Sequence, residues 1–139
     1  MDLVYDIYCD GAYSPMRDQG GIGIVFIKDG KQIGQYGQTY KNTTNNRMEL
    51  QAIITTLLSF KNKVNSITIH SDSQYVIGTI LKGWKRNKNQ DLWEKFDKAQ
   101  EYVMKNICSE IKYEWVKGHA DNEFNEQADK IANKASQLL

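Results

Sequence analysis

The spacing of apolar residues predicts strands at the start of the chain. From Leu3 to Cys9, both alternating sets of positions contain large apolar side chains, which is typical of a central strand. Two further alternating stretches, Gly21 to Lys28 and Gln32 to Tyr40, flank Asp29-Gly30, a dipeptide that favours a tight hairpin turn. We therefore expect the first three strands to form an antiparallel meander.

The apolar period changes to that of a helix after residue 45. A helix is predicted from Asn46 to Phe60, and the polar pair Asn45-Asn46 supplies its start. The remaining pattern predicts a strand at Ser66 to Ser71, a helix at Ser73 to Lys82 with a break at Gly83, a helix at Leu92 to Ile107, a strand at Ile111 to Val116 and a helix at Phe124 to Leu138. The predicted element order is βββαβααβα.

This order predicts an α/β fold with a five-stranded mixed sheet flanked by helices. Strands that alternate with helices are usually parallel and covered by those helices. Clefts in such sheets form at the carboxyl ends of the strands. Asp10 and Asp72 follow the predicted ends of the first and fourth strands, and Glu49 lies in the first turn of the intervening helix. We therefore expect three carboxylates from distant segments at one edge of the sheet.

Length and composition narrow the class of protein. No repeat, low-complexity tract or linker divides the 139 residues, so we expect a single domain over residues 1–139. No apolar run approaches the roughly 20 residues that a membrane helix needs, and a secretion signal is missing at the start. Cys9 and Cys108 lack metal-binding or redox spacing. We expect a cytoplasmic monomer without a membrane partner; the net charge of +1 does not by itself indicate nucleic acid.

Carboxylates gathered at one place point to metal-dependent chemistry. At reduced dielectric they repel one another, and divalent cations relieve that repulsion. Oxygen ligands without His or Cys favour Mg²⁺, with Mn²⁺ as a substitute. Two such ions about 4 Å apart can hold a phosphodiester, activate water and stabilise the leaving oxygen.

Each acidic residue also has a structural explanation that the local sequence leaves open. Glu49 follows Asn46 by three residues, as in a capping box. Asp72 fits the N-cap of the next helix. Asp10 precedes a glycine, as in a turn, and Asp129 lies off the apolar stripe of the last helix, where an Asp is usually solvated. Only the combination of these residues supports a functional interpretation.

Four segments contain the distinctive residues in a fixed order. They are Asp10-Gly11-Ala12 with Gly20 to Gly23, Thr43 to Leu50, Ser71 to Val76, and Val116 to His119 with Asn125, Glu126 and Asp129. Together they resemble type 1 ribonuclease H over nearly the whole chain. The resemblance implies a ribonuclease H-like fold and an endonuclease that cuts the RNA strand of RNA–DNA hybrids, giving 5′-phosphate and 3′-hydroxyl ends. It implies two Mg²⁺ ions held by Asp10, Glu49, Asp72 and Asp129.

The resemblance also implies residues that assist the reaction and contact the hybrid. His119 is expected to help proton transfer or product departure. Recognition of 2′-hydroxyls in the minor groove distinguishes RNA from DNA without reading the bases. Helix capping remains an alternative role for the asparagine pair. The expected substrate-binding residues are Gly11, Thr44, Asn45, Asn46, Gln74, Trp84, Lys85 and Asn125.

The chain departs from the family pattern at two places. Lys82 to Lys88 is the only dense basic run, and it leads directly towards Asp91-Leu92-Trp93. It therefore resembles short members that lack the family's longer basic protrusion, and a solvated helix end is the alternative interpretation of the run. Met16 stands where the family often has an asparagine.

Two other functions remain open at this point. The chain fits another nuclease of the ribonuclease H-like superfamily, although the Asn45-Asn46 pair and His119 argue against this. It also fits a hybrid-binding module that no longer cleaves, but all four carboxylates are present.

Overall fold

The computed structural model describes residues 3–118 and 122–138. Within these ranges the chain forms five strands and four helices. In chain order they are β1 (Val4–Ser14), β2 (Gln19–Lys28), β3 (Lys31–Lys41), α1 (Asn45–Leu58), β4 (Ser66–Ser71), α2 (Gln74–Lys82), α3 (Gln90–Asn106), β5 (Ile111–Trp115) and α4 (Glu123–Ser136). The predicted order βββαβααβα is confirmed.

The strands form one mixed sheet in the order β3-β2-β1-β4-β5. The pairs β1–β2 and β2–β3 are antiparallel, whereas β1–β4 and β4–β5 are parallel. The predicted hairpin joins β2 to β3: Asp29 and Gly30 have φ values of 51° and 80°. A type I′ turn needs positive φ at both central residues, which an Asp-Gly pair adopts readily. The mixed sheet predicted from the sequence is therefore confirmed.

Different helices cover the two faces of the sheet. The larger core packs α1 and α3 against one face, and its fully buried side chains include Ile7, Leu50, Ile69, Trp93 and Phe96. The smaller core on the other face joins α4 to β1 and β2 around Val25, Ile27 and Ala128. Among the described residues, no helix is long and apolar enough to cross a membrane.

Strand β1 is longer than its apolar pattern predicts. Its parallel pairing with β4 ends where Cys9 lies opposite Ser71, but its antiparallel pairing with β2 continues to Ser14. Beyond Cys9 the strand is held by backbone pairing on one side, which apolar periodicity does not reveal. The expected strand end at Cys9 was therefore wrong, and so was the alternative that Asp10 belongs to a turn. Asp10 nevertheless lies directly after the last residue paired with β4.

Hydroxyl side chains, rather than the expected asparagines or acids, cap two helices. Thr44 is the N-cap of α1 and accepts a hydrogen bond from the backbone nitrogen of Arg47 at 3.2 Å. Ser73 is the N-cap of α2 and accepts from Val76 at 3.1 Å. Capping therefore does not explain Glu49, Asp72 or the asparagine pair. Other helix and strand ends differ from the prediction by one to a few residues, within the usual spread.

Candidate active site

Three carboxylates converge at the edge where the parallel pairing of β1 and β4 ends. Asp10 lies in β1, Asp72 follows the last residue of β4, and Glu49 lies near the start of α1. One carboxylate oxygen of each lies within 4.8 Å of the others. Asp10 and Glu49 are only 4% and 5% exposed, and Asp72 is half-buried. We call these three residues the carboxylate cluster.

Gly11 allows α1 to approach β1 closely enough to bring Glu49 into the cluster. A Cβ atom at Gly11 would lie 2.3 Å from the backbone nitrogen of Glu49 and 2.4 Å from the carbonyl carbon of Met48. The Gly11 amide donates a hydrogen bond to Asp10 Oδ1 at 2.9 Å and another to Glu49 Oε1. Any side chain at this position would push the helix away and separate the two carboxylates.

Asp129 approaches the cluster from the opposite face of the sheet. Helix α4 packs against the backbone of β2, where a Cβ atom at Gly23 would lie 2.2 Å from the carbonyl oxygen of Ala128. The proximity of Asp129 is one cause of the raised pKa of Asp10, although Asp129 is not one of the three acids that meet within 4.8 Å. The amide of Asn133 donates to Asp129 Oδ1 at 3.1 Å and orients its carboxylate.

Burial and mutual repulsion raise the pKa values of Asp10 and Glu49. Removal from water is the largest cause for both residues. The hydrogen bond and charge of Glu49 add to the rise at Asp10, and the charge of Asp72 adds to the rise at both. Hydrogen bonds from Asp10 and from the Gly11 amide act in the opposite direction at Glu49 without cancelling the rise.

The cluster lacks an internal cation among the residues that the structure describes. No described Lys, Arg or His forms an ion pair with its carboxylates. Buried carboxylates without such partners either bind protons or recruit a cation. An all-oxygen donor set suits a hard divalent ion such as Mg²⁺ or Mn²⁺. The residues therefore fit a divalent-cation site.

Comparisons with known proteins agree with this chemistry. The RNase H family model matches residues 3–137. The chain belongs to the RNase H family. It is 40% identical to a ribonuclease H of Trichodesmium erythraeum, in an alignment that covers 96% of this chain and 88% of that protein. Family membership identifies this protein as a nuclease.

Solved structures show the same RNase H fold. RNase H1 of the archaeon Halobacterium salinarum superposes with a TM-score of 0.75 at 27% identity, covering 95% of this chain and 96% of that one. LC11-RNase H1, solved in complex with an RNA/DNA hybrid, superposes with a TM-score of 0.73 at 22% identity, covering 94% of this chain and 95% of that one. At that identity, the second likeness shows the fold alone.

Exposed polar residues flank the carboxylate cluster of this RNase H. Thr44, Asn45 and Asn46 lie at the start of α1, one turn before Glu49, and all three are exposed. Gln74 is the exposed first residue of α2, two residues after Asp72. These four residues, which were expected to contact the hybrid, are therefore close to the cluster along the chain and accessible.

In the basic segment after α2, one cationic side chain is paired within the protein and another is exposed to solvent. Arg86 lies 4.6 Å from the ring centre of Trp93 and pairs with Asp97 at 2.7 Å, so its charge is used within the protein. Lys85 is exposed. Trp84 packs on the backbone of α2, since a Cβ atom at Gly78 would lie 2.2 Å from its ring, yet it remains 47% exposed.

Asn125 and His119 were also expected to belong to the site. Asn125 is only 1% exposed, and its Oδ1 has no hydrogen-bond partner among the described residues. Because this side chain is buried, the structure does not show it as a direct substrate contact, and the expected contact stays a prediction. His119 lies outside the described residues, so its role stays a prediction. The preceding Gly118 lies beside Asp72, because a Cβ atom there would be 3.2 Å from Asp72 Oδ2.

Sequence reasoning missed Trp115. The indole Nε1–H of this residue, at the end of β5, donates a hydrogen bond to the main-chain oxygen of Asp72 at 3.1 Å. A tryptophan that ends an apolar strand is ordinarily interpreted as a core residue, and no local signal distinguishes it.

A voluminous groove lies elsewhere on the protein. It encloses about 830 Å³ and is lined by residues of β3 and the end of α1, including Ile33, Tyr36 and Leu58. None of the carboxylates lines it. Nuclease chemistry requires an open surface for a long substrate, so groove size does not identify the site here.

Proposed function

We propose that this protein is an endonuclease that hydrolyses the RNA strand of RNA–DNA hybrids. The observation that supports the proposal most strongly is the meeting of Asp10, Glu49 and Asp72 within 4.8 Å in a chain of the RNase H family. Asp129 is proposed as the fourth metal ligand, because it lies near enough to Asp10 to contribute to the raised pKa of that residue. Buried carboxylates without a basic partner are expected at a site that binds a cation.

Two Mg²⁺ ions, or Mn²⁺ in their place, would supply an activated water and charge stabilisation for the leaving oxygen when bound to these four carboxylates. The protein's own contribution is to hold the carboxylates in place, through the Gly11 amide at Asp10 and Glu49 and through Asn133 at Asp129. These contacts keep the acids together before substrate arrives.

The proposed reaction breaks the bond between phosphorus and the 3′ oxygen. The oxygen of a water molecule forms a new bond to phosphorus, and the 3′ oxygen leaves and takes up a proton. One product therefore ends in a 3′-hydroxyl and the other begins with a 5′-phosphate. His119 is proposed to assist proton transfer or the departure of the product, as the family resemblance implies.

Recognition of the hybrid is proposed to depend on the minor groove. Asn45, Asn46 and Gln74 offer donors and acceptors to 2′-hydroxyls, which DNA strands lack. Thr44 and the backbone amides near it are proposed to hold a phosphate of the DNA strand. These contacts read the sugar and the backbone rather than bases, so sequence preference should be weak.

The DNA strand is proposed to run past the segment that contains Trp84 and Lys85. Lysine contacts with phosphate supply affinity that falls as salt rises. Met16, in the turn between β1 and β2, is 98% exposed and adds no polar contact where the family often has an asparagine. We therefore expect hybrid affinity to be modest and strongly salt-dependent.

A cleavage assay on one end-labelled RNA–DNA hybrid tests the proposal. We expect cleavage of the RNA strand with Mg²⁺ or Mn²⁺, none with EDTA, and none on duplex DNA or duplex RNA. Product ends can be identified by susceptibility to a phosphatase and by ligation. Preferred cleavage of duplex DNA would instead indicate another nuclease of the superfamily. Hybrid binding without cleavage under either metal would indicate a binding module.

A further inference from the structure

Trp115 contacts the backbone beside the carboxylate cluster, whereas most aromatic residues of the chain pack in the hydrophobic cores. It is the last residue of β5 and lies opposite Ser71 in the parallel register with β4. Its side chain is 45% exposed, yet its indole Nε1–H is committed to the main-chain oxygen of Asp72 at 3.1 Å. The ring is thus accessible at the surface but anchored at one atom.

The Asp72 peptide lies between two regular elements and needs such an anchor. Strand β4 ends at Ser71, and α2 begins after its N-cap Ser73, whose main-chain oxygen accepts from Ile77 at 3.0 Å. The Asp72 oxygen therefore belongs neither to the sheet nor to the helix. In the part of the chain that the structure describes, the Trp115 indole is the donor found for it.

The segment that follows β5 also lies beside Asp72 and its neighbour Ser71. The backbone nitrogen of Val116 donates to the oxygen of Ser71 at 2.9 Å, which extends the parallel ladder by one bond. Gly118 then passes the carboxylate itself, since a Cβ atom there would lie 3.2 Å from Asp72 Oδ2. Rotation of the Asp72 peptide would therefore move the carboxylate relative to both Asp10 and Glu49.

We propose that Trp115 is a positioning residue for the divalent-cation site, because its indole N–H fixes the peptide that orients the Asp72 carboxylate. The inference rests on the proposed function for the existence of that site and adds a residue that acts through Asp72. Groups that orient metal ligands typically change metal affinity about 10- to 100-fold when they are removed. Water can replace part of an exposed hydrogen bond, so we expect an affinity loss of about threefold to tenfold.

The test is Trp115→Phe, which keeps an aromatic ring but removes the N–H donor. Binding of Mg²⁺ and of Mn²⁺ to the protein alone is measured by titration calorimetry, and the Tm is measured in EDTA. We expect weaker binding of both ions and a Tm that falls no further than in the control. The control is Tyr36→Phe on β3, an aromatic residue 43% exposed that likewise loses one donor, its hydroxyl bond to Gln38 at 2.6 Å.

Unchanged metal affinity in Trp115→Phe would overturn the inference, whatever happens to the Tm. A higher KM for hybrid with unchanged metal affinity would assign Trp115 to nucleic-acid contact and overturn it as well. If the wild-type chain binds metal but does not cut hybrid, the proposed function fails while the positioning role is still decided by the calorimetry. If the wild-type chain cuts hybrid and the variant binds metal equally well, only the positioning role fails.

A second measurement uses the wild-type chain and does not depend on how the variant folds. Solvent exchange of the indole N–H protons is followed by NMR. We expect the N–H of Trp115 to exchange more slowly than that of Trp84, which is similarly exposed at 47% and has no described hydrogen bond at its nitrogen. Equal or faster exchange at Trp115 would contradict the anchoring on which the inference depends.

Discussion

Two groups of ionisable side chains each include one aspartate of β1, and they differ in the partners that their acids have. The first is the carboxylate cluster. The second, which we call the histidine cluster, consists of Asp6, His70 and Glu114. His70 Nε2 lies 2.9 Å from Asp6 Oδ1, and its Nδ1 lies 3.4 Å from Glu114 Oε2. Each acid of the histidine cluster therefore lies beside one nitrogen of the same imidazole ring.

Exposure reinforces the difference between the two clusters. The side chains of Asp6 and Glu114 are 39% and 57% exposed, so water also solvates them. The His70 ring is mostly buried and stacks on Tyr8 with 4.3 Å between ring centres. The carboxylate cluster has neither a described basic partner nor comparable access to water. Acids that have an imidazole neighbour and access to water do not need an added cation, whereas buried acids without either are suited to bind one.

The largest expected effect is on the cleavage rate, and it should distinguish Asp10 from Asp6, the two aspartates of β1. Asp10→Asn should abolish cleavage, by more than about 10³-fold, because loss of a metal ligand removes several kcal/mol of transition-state stabilisation. Folding and hybrid binding should remain largely intact. Asp6→Asn makes the same chemical change four residues earlier and should retain activity. Cleavage rates of both variants on one hybrid decide the matter, and normal activity in Asp10→Asn would refute the assignment.

The next comparison concerns the two histidines of the chain. His119→Ala should lower turnover about 10- to 100-fold without eliminating it, the weak end of the range for groups that assist proton transfer. The measurement is the single-turnover cleavage rate at saturating Mg²⁺. A complete loss of cleavage would show that His119 does more than assist, and an unchanged rate would remove it from the mechanism.

The stability of the metal-free protein should depend on pH through the carboxylate cluster. The folded-state pKa values of Asp10 and Glu49 lie above their unfolded values, so the folded state binds more protons. The free energy of unfolding should therefore fall as pH rises above about 4, where unfolded carboxyls ionise. Mg²⁺ at about 100 times its Kd should add about 2.7 kcal/mol, provided the folded state alone binds it.

Thermal unfolding from roughly pH 5 to pH 9, in EDTA and in Mg²⁺, measures this dependence. The gain from Mg²⁺ should grow with pH, because protons and cations compete for the same oxygens. Asp10→Asn is the matched control and should flatten the EDTA curve. A wild-type curve in EDTA that is flat over this range would contradict the electrostatic account of the cluster.

The smallest expected effects concern the histidine cluster and an exposed ion pair on α3. His70→Gln should lower the free energy of unfolding by about 1–2 kcal/mol, because it removes ring stacking and weakens a mostly buried hydrogen bond. Cleavage and Mg²⁺ affinity should stay close to wild type. Glu94→Gln breaks the exposed Glu94–Lys98 pair on α3 and should change stability by less than about 0.5 kcal/mol. A loss of Mg²⁺ binding in His70→Gln would remove the proposed distinction between the clusters.

The sequence alone determined the kind and the order of the elements. Apolar periodicity is a local property, so it located the hairpin at Asp29-Gly30, the helix after Asn45 and the alternation of strands with helices. The motifs also predicted which carboxylates belong to the candidate site, because the residue type alone determines the chemistry of a side chain. The two hydroxyl caps were missed, since Thr, Ser, Asn and Asp compete for the same position with similar energies.

Only the tertiary structure decided where these residues meet. The extension of β1 to Ser14 depends on its partner β2, which lies elsewhere in the sequence. The contact of Gly11 with α1 and the anchoring of Asp72 by Trp115 join residues that are tens of positions apart. Such contacts arise when whole elements pack together, and a local pattern contains no information about the atoms of a distant neighbour.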